Sequence, residues 1–441
     1  MRTRARLAGL IVLALSAAAC PSSSDQVSTL PGSASVVPSV AAGGGAPTAA
    51  AAIRELCVAP AVPAGATPTP APETTPPEIA QIEQEVEAVR GLTYEHPVAV
   101  EAVDAAEMQR RVQQSFDASY PAAYYDRRST AWQTIGVIPP GTDLRVALRS
   151  FLGGQVVGFY DPEAKQLVYE GSGQLGIEER LVLAHELTHA LDDQHFDLTR
   201  LDRLATRCDD EASAAALGAV EGDAQYVAAQ TLARFPSGNL GDLLGALLQG
   251  FGPQPDLGEV PQFVQTLEIW PYTAGLAFIT RRALDGGTAA IDQVLQDPPT
   301  TTEQVIHPER YPTDLPSRVD VADLSGELGP GWGDLDAMTV GEEWLDAMLR
   351  LRLDGSTADD ATAGWDGGVY RAWTDGTDVA VVMETAWDSS ADAAAFFQAA
   401  SSWESAGGGA STATQSGDTV TLAFASSNAV RDTLARALAR S

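Results

Sequence analysis

The chain has 441 residues, with 59 Asp or Glu against 27 Lys or Arg, a formal net charge of −32 at pH 7. The length allows roughly one to three folded units with a large core. The charge argues against a nucleic acid partner, since a polyanion would be repelled.

Arg2, Arg4 and Arg6 precede an apolar run, Leu7 to Ala19, that closes on Ala17-Ala18-Ala19 before Cys20. This is the pattern of a secretory signal peptide. The run's 13 residues fall short of the roughly 20 that a membrane span requires. Small residues ahead of a cysteine resemble a bacterial lipoprotein cleavage box, with Ala17 where that box has Leu, Val or Ile. The resemblance implies a signal peptide over residues 1–20 and a lipid on Cys20 that tethers an exported protein to a membrane of the cell envelope. Cys57 and Cys208 then remain as an even pair, and in an oxidising compartment a disulfide between them is expected.

Residues 21–76 are dominated by Ser, Ala, Gly, Pro and Thr and, apart from the neighbourhood of Cys57, are read as a disordered spacer. Periodic structure begins at Glu78, where Ile79, Ile82, Val86 and Val89 recur at helical spacing. A strand over His96–Val103 follows, then helices from Asp104 to Phe116, over 122–132 and over 144–152. Gln155–Tyr160 and Gln166–Glu170 form a hairpin signal around Asp161-Pro162. Beyond a Gly-rich break at 171–176, helices are predicted over 177–193, 210–235, 238–248, 261–283 and 289–296. Residues 77–330 thus read as one helix-rich α+β body with a small sheet. After a Pro/Gly/Asp-rich break at 328–335 the texture changes. Residues 331–441 read as a separate α+β unit, with helices over 340–353, 390–402 and 427–439 and strands over 368–373, 379–387 and 419–425. Trp365, Trp373 and Trp387 are expected as buried strand aromatics.

The helix over 177–193 carries His185-Glu186-Leu187-Thr188-His189. Residues four apart on a helix share a face about one turn apart, so both imidazoles can reach one Zn²⁺, and Glu186 is placed to hold the water as general base. The motif resembles that of the zincin metallopeptidases. Two residues compete as third ligand. Glu221, in Ala219-Val220-Glu221-Gly222-Asp223 on a later helix, corresponds to the glutamate-liganded (gluzincin-like) group. His195 reproduces the histidine spacing of the metzincins, but Asp192 stands where those have a turning glycine, and no methionine occurs between Met108 and Met338. Glu221 is therefore favoured.

More widely, residues 78–330 resemble exported bacterial lipoproteins with the pattern HELTHALxDQHF, a hairpin like Gly158-Phe159-Tyr160-Asp161-Pro162, a later Glu-Gly-Asp, Pro271-Tyr272-Thr273-Ala274-Gly275, and the segment Pro298 to Pro308. This wider resemblance implies the glutamate-liganded zincin architecture, and the likeness of the motif to zincin metallopeptidases implies a zinc cofactor and a protein or peptide substrate. It also implies a donor for the oxyanion of the tetrahedral intermediate, for which His307 and then Tyr272 are the candidates. Asp223 is the candidate acceptor behind a ligand histidine. The strand over 155–160 would be an edge for an extended peptide. The competing reading is a non-catalytic surface binding lipoprotein with a structural or relic zinc site, whose mark would be His195 filling the fourth position.

Overall fold

The computed structural model describes residues 49–57, 69–70, 75–119, 121–171, 175–201, 204, 208–232, 260–407 and 409–439. Near Cys57, α1 (Ala49–Leu56) forms within the expected spacer, its Ala49 and Ala52 buried and its first amide donating to Asp320 Oδ1 at 2.5 Å. Cys57 and Cys208 are joined in a disulfide; Cys20 and the helix expected over 238–248 lie outside the described residues.

Then come α2 (Pro77–Arg90), β1 (Ala99–Val103), α3 (Ala105–Ser119), α4 (Ala122–Ile135) and α5 (Leu144–Gln155). The hairpin is β2 (Gly158–Asp161) and β3 (Gln166–Glu170), followed by α6 (Ile177–Phe196) and α7 (Asp210–Leu232). β3 is central in this sheet, antiparallel to β2 and parallel to β1 with Ala99 opposite Gln166. The parallel pairing was not readable from either strand alone, because it depends on the chain between them crossing the sheet.

The two helices predicted over 261–283 and 289–296 are one element, α8 (Gln262–Gln296), interrupted at Gly287. There φ is 66° and ψ is −157°, a conformation glycine adopts without a Cβ clash. α9 (Thr302–Ile306) and α10 (Ser325–Leu328) are short. The C-terminal segment contains β4 (Gly333–Thr339), α11 (Glu342–Arg350), α12 (Gly355–Thr362), β5 (Trp365–Thr374), β6 (Val379–Trp387), α13 (Ser390–Gly407), β7 (Ala410–Ser416), β8 (Thr419–Ala425) and α14 (Asn428–Leu438). Its sheet runs β4-β5-β6-β8-β7, antiparallel throughout. β4 and β7 went unread because they are the two edge strands: β4 begins inside the Gly/Asp-rich break, and β7 is a polar run of Ala, Ser, Thr and Gln. Trp365, Trp373 and Trp387 are buried.

One apolar core crosses between the two segments. Phe263 of α8 packs edge-on to Trp132 of α4 and to Trp344 of α11, each at 5.2 Å between centroids, and Tyr370 and Phe424 continue the cluster into the second sheet. Such aromatic pairs contribute about 0.5–1.5 kcal/mol beyond area burial. A buried ion pair, Arg128 Nε to Asp336 Oδ2 at 2.8 Å, lies in the same region.

A second core holds the hairpin, α2 and α6 together. Every residue of α6 from Leu181 to Asp193 is buried, so this is an interior helix packed on all sides rather than a one-faced surface helix.

Candidate metal centre

α6 begins after Gly176, whose N–H donates to Glu179 Oε2 at 2.9 Å, the returning half of a capping box. The hairpin sits directly on it. A Cβ at Gly158 would meet Val182 Cγ1 at 2.4 Å, so only glycine lets β2 approach this closely. Tyr160 O–H and Lys165 Nζ both donate to Asp193 Oδ2, at 2.8 and 2.7 Å, and lock the hairpin to the helix. On another side α7 and α8 meet backbone to backbone. A Cβ on Gly222 would come within 2.2 Å of the Gly275 carbonyl, and one on Gly275 within 1.9 Å of the Gly218 oxygen. That close approach brings Tyr272 of α8 beside α6.

His185, His189 and Glu221 converge, with ligand atoms all within 4.8 Å of one another and all three residues buried. His185 Nε2 lies 3.1 Å from Glu221 Oε2 and 3.1 Å from His189 Nε2, and His189 Nε2 lies 3.4 Å from Glu221 Oε2. Ligand atoms about 2.0–2.1 Å from a tetrahedral ion are about 3.3 Å apart, so this spacing suits a metal ion. Two imidazoles and one carboxylate are also the right donor chemistry. This triad could hold a metal ion.

Electrostatics follow from burial. Desolvation, reinforced by the neighbouring His189, holds the His185 pKa below its ordinary value despite Glu221. Burial pushes the Glu221 carboxyl up, but His189 and His185 together outweigh it and leave the group below the usual carboxylate range. A His185 shifted toward its neutral form and a Glu221 shifted toward its ionised form are the protonation states a metal ligand requires.

Glu186 is fully buried, and neither carboxylate oxygen has a hydrogen-bond partner among the described residues. Burial first, and the Glu221 charge second, push it well above the ordinary range; the Tyr160 main-chain N–H pulls the other way without closing a hydrogen bond of normal geometry. The Tyr272 ring stacks on His185 at 6.4 Å between centroids. His307 lies outside the ligand cluster and is bonded through Nε2 to Glu342 Oε1 at 3.0 Å. His195 is likewise outside it. α6 continues helical to Phe196, and His195 Nε2 donates to the Thr93 carbonyl at 2.8 Å.

Asp223 does not receive a hydrogen bond from a ligand histidine, since Nδ1 of both His185 and His189 lacks a partner among the described residues. It pairs with Arg90 instead, Nε to Oδ2 at 2.8 Å. Arg90 Nη2 also reaches Asp192 Oδ1 at 3.2 Å and Asp292 Oδ1 at 3.0 Å, so one guanidinium ties together α2, α6, α7 and α8. Sequence reasoning missed Arg90, because it closes α2 as an ordinary C-terminal cation would. Within the DQHF run each polar side chain has a scaffolding partner. Asp193 holds the hairpin, Gln194 accepts from the Glu95 and His96 amides at 2.7 and 3.0 Å, and His195 holds Thr93.

Residues 327–435 match a family model described as a domain of unknown function (DUF8575). The match covers most of the second segment, beginning at residue 327 just ahead of it, and does not include His185, His189 or Glu221. No curated protein and no solved structure matches the chain.

Proposed function

We propose that this chain is an exported zinc metallopeptidase of the glutamate-liganded zincin type, with zinc held by His185, His189 and Glu221 and a protein or peptide as substrate. The observation that carries the reading is the buried three-ligand cluster beside the unpartnered carboxylate of Glu186. Zinc, when bound, supplies Lewis acidity that acidifies water and polarises the scissile carbonyl.

The protein's own groups do the rest. Glu186 has no hydrogen-bond partner for its carboxylate among the described residues, so an oxygen is available to take a proton from water and return it to the leaving amine. Its raised proton affinity, set by burial, suits a group that must accept a proton and then give it up. Tyr272, stacked on His185, is favoured over His307 as oxyanion donor, because His307 is engaged by Glu342. Glu221 and the two histidines are fixed by the close α7–α8 approach and the Arg90 web, which keeps the ligand geometry from relaxing.

A structural zinc site closes its fourth position. His195, the residue best spaced to do so, is committed to Thr93, which favours catalysis over the binding-protein reading. The Cys57–Cys208 disulfide suits an oxidising compartment and supports export. No helix among the described residues is long and apolar enough to cross a membrane. We assign the attachment to a lipid on Cys20, which mass spectrometry of membrane-extracted protein tests.

The deciding experiment measures zinc content and hydrolysis of unfolded protein for the full chain and for Glu186→Gln. One zinc in both with turnover only in the wild type is expected. Full zinc with no turnover in either moves weight to the binding protein, and no zinc removes the proposal.

A further inference from the structure

Tyr272 also lines a cavity of about 350 Å³, within the range of small ligand sites, whose walls include Trp132, Trp270 and Trp344. The same cavity is lined by Asp210, Glu211, Glu268 and Glu343 against, among the described residues, a single cation, Arg128. That cation is already taken: it pairs with Asp336 at 2.8 Å and with Asp210 at 3.6 Å. Glu211 is satisfied by Thr302, whose N–H and hydroxyl donate to its Oε1 at 2.5 and 2.8 Å. Glu343 is different. Only 7% exposed, its Oε1 has no hydrogen-bond partner among the described residues.

A buried carboxylate oxygen without a partner is costly and asks for a ligand that donates to it. The surrounding acids make that ligand a cation. Aromatic walls accept both an aliphatic stem and a cationic head. A metal ion fits less well, because among the described residues only His185, His189 and Glu221 have ligand atoms converging within 4.8 Å.

We propose that this cavity, next to the metal centre through Tyr272, is the specificity pocket for a positively charged side chain, lysine or arginine, of the substrate, with Glu343 as its carboxylate partner. The assignment of the ligand as a substrate side chain rests on the peptidase reading. Burial, then Glu211 and Glu268, push the Glu343 carboxyl well above its ordinary range, and burial raises Glu268 to about 7, so the empty cavity favours the protonated acids. An entering cation offsets both the burial and the repulsion and draws Glu343 into the carboxylate form that pairs with it.

The test reads binding without turnover. Full chain carrying Glu186→Gln is titrated with a peptide containing one lysine and with the same peptide acetylated at that lysine, followed by tryptophan fluorescence. The free lysine peptide, and its arginine counterpart, are expected to bind about tenfold tighter, as a charge-assisted hydrogen bond provides. Adding Glu343→Gln is expected to shrink that ratio to about threefold or less. Should that variant fail to fold, Glu268→Gln serves the same comparison. Equal affinity for both peptides, no binding of either, or an undiminished ratio in the variant overturns the proposal. A Glu343-dependent lysine preference in a zinc-loaded wild type that cleaves nothing would leave a cation site standing while the peptidase reading fell. Cleavage with no cation preference would do the reverse.

Discussion

Arg90 Nε stands 2.8 Å from Asp223 Oδ2, and neither side chain is exposed to solvent. Because Asp223 lies two residues from the ligand Glu221 and Asp192 three residues from the ligand His189, this one cation braces both ligand-bearing helices. Arg90→Ala leaves Asp192 and Asp223 buried without it, a loss of about 3–5 kcal/mol of stability. Metal affinity is expected to fall about 10- to 100-fold, as for other groups supporting a ligand shell. Denaturant unfolding and competitive metal titration check the two effects separately.

The third ligand is decided by comparing two single variants. Glu221→Gln is expected to lose stoichiometric metal, whereas His195→Asn retains it, since His195 serves the Thr93 carbonyl. Metal analysis after dialysis reads both. Retention in Glu221→Gln with loss in His195→Asn would falsify the ligand set.

Gly222→Ala places a methyl group 2.2 Å from the Gly275 backbone, a distance no real contact shows. α7 and α8 must separate, carrying Glu221 with them. Loss of metal and a destabilisation of about 1–3 kcal/mol, typical of overpacking, are expected. Gly326→Ala, at a site with no atom within 4 Å of the added methyl and without a positive φ, controls for handling of a glycine variant.

Stability is expected to fall as pH rises through the Glu211 titration. Burial, larger than the opposing effect of the Thr302 donors, raises this carboxyl from 4.5 to about 8. The fold favours its protonated form, so the contribution is full below the unfolded value and is lost as pH climbs through about 8. His307, raised by its hydrogen bond to Glu342, acts in the same direction above its ordinary 6.5. Glu211→Gln cannot ionise and keeps an acceptor for Thr302. Its melting temperature relative to wild type should therefore rise between about pH 5 and about pH 9; a flat difference would contradict the assignment.

The Cys57–Cys208 bridge closes a loop of sequence separation 151. On the chain-entropy account this is worth roughly 5 kcal/mol at most, with about 2–5 usual for native bridges. Cys57→Ser should lower the denaturant midpoint accordingly and also free α1, whose Leu56 carbonyl accepts from Arg127 at 3.0 Å. Reducing agent should bring the wild type down to the variant.

Local order was legible in the sequence because it is set by spacing. The i, i+4 separation of His185 and His189 puts two imidazoles on one helix face whatever surrounds them, and the β-favouring run Leu167-Val168-Tyr169 within Gln166–Glu170 marks a strand on its own. Glu221 could be picked out by its place in Glu-Gly-Asp and Cys57–Cys208 by arithmetic. Tertiary structure decided what depends on residues distant in the chain. It turned His195 to Thr93, gave His307 to Glu342, took Asp223 from the histidines for Arg90, and joined the two segments through Phe263 between Trp132 and Trp344. The physical reason is that a buried charge or ring is committed to whichever partner the packing brings within reach. That choice is made across gaps that run from 35 residues for His307 and Glu342 to 102 for His195 and Thr93 and beyond, where no local periodicity records it.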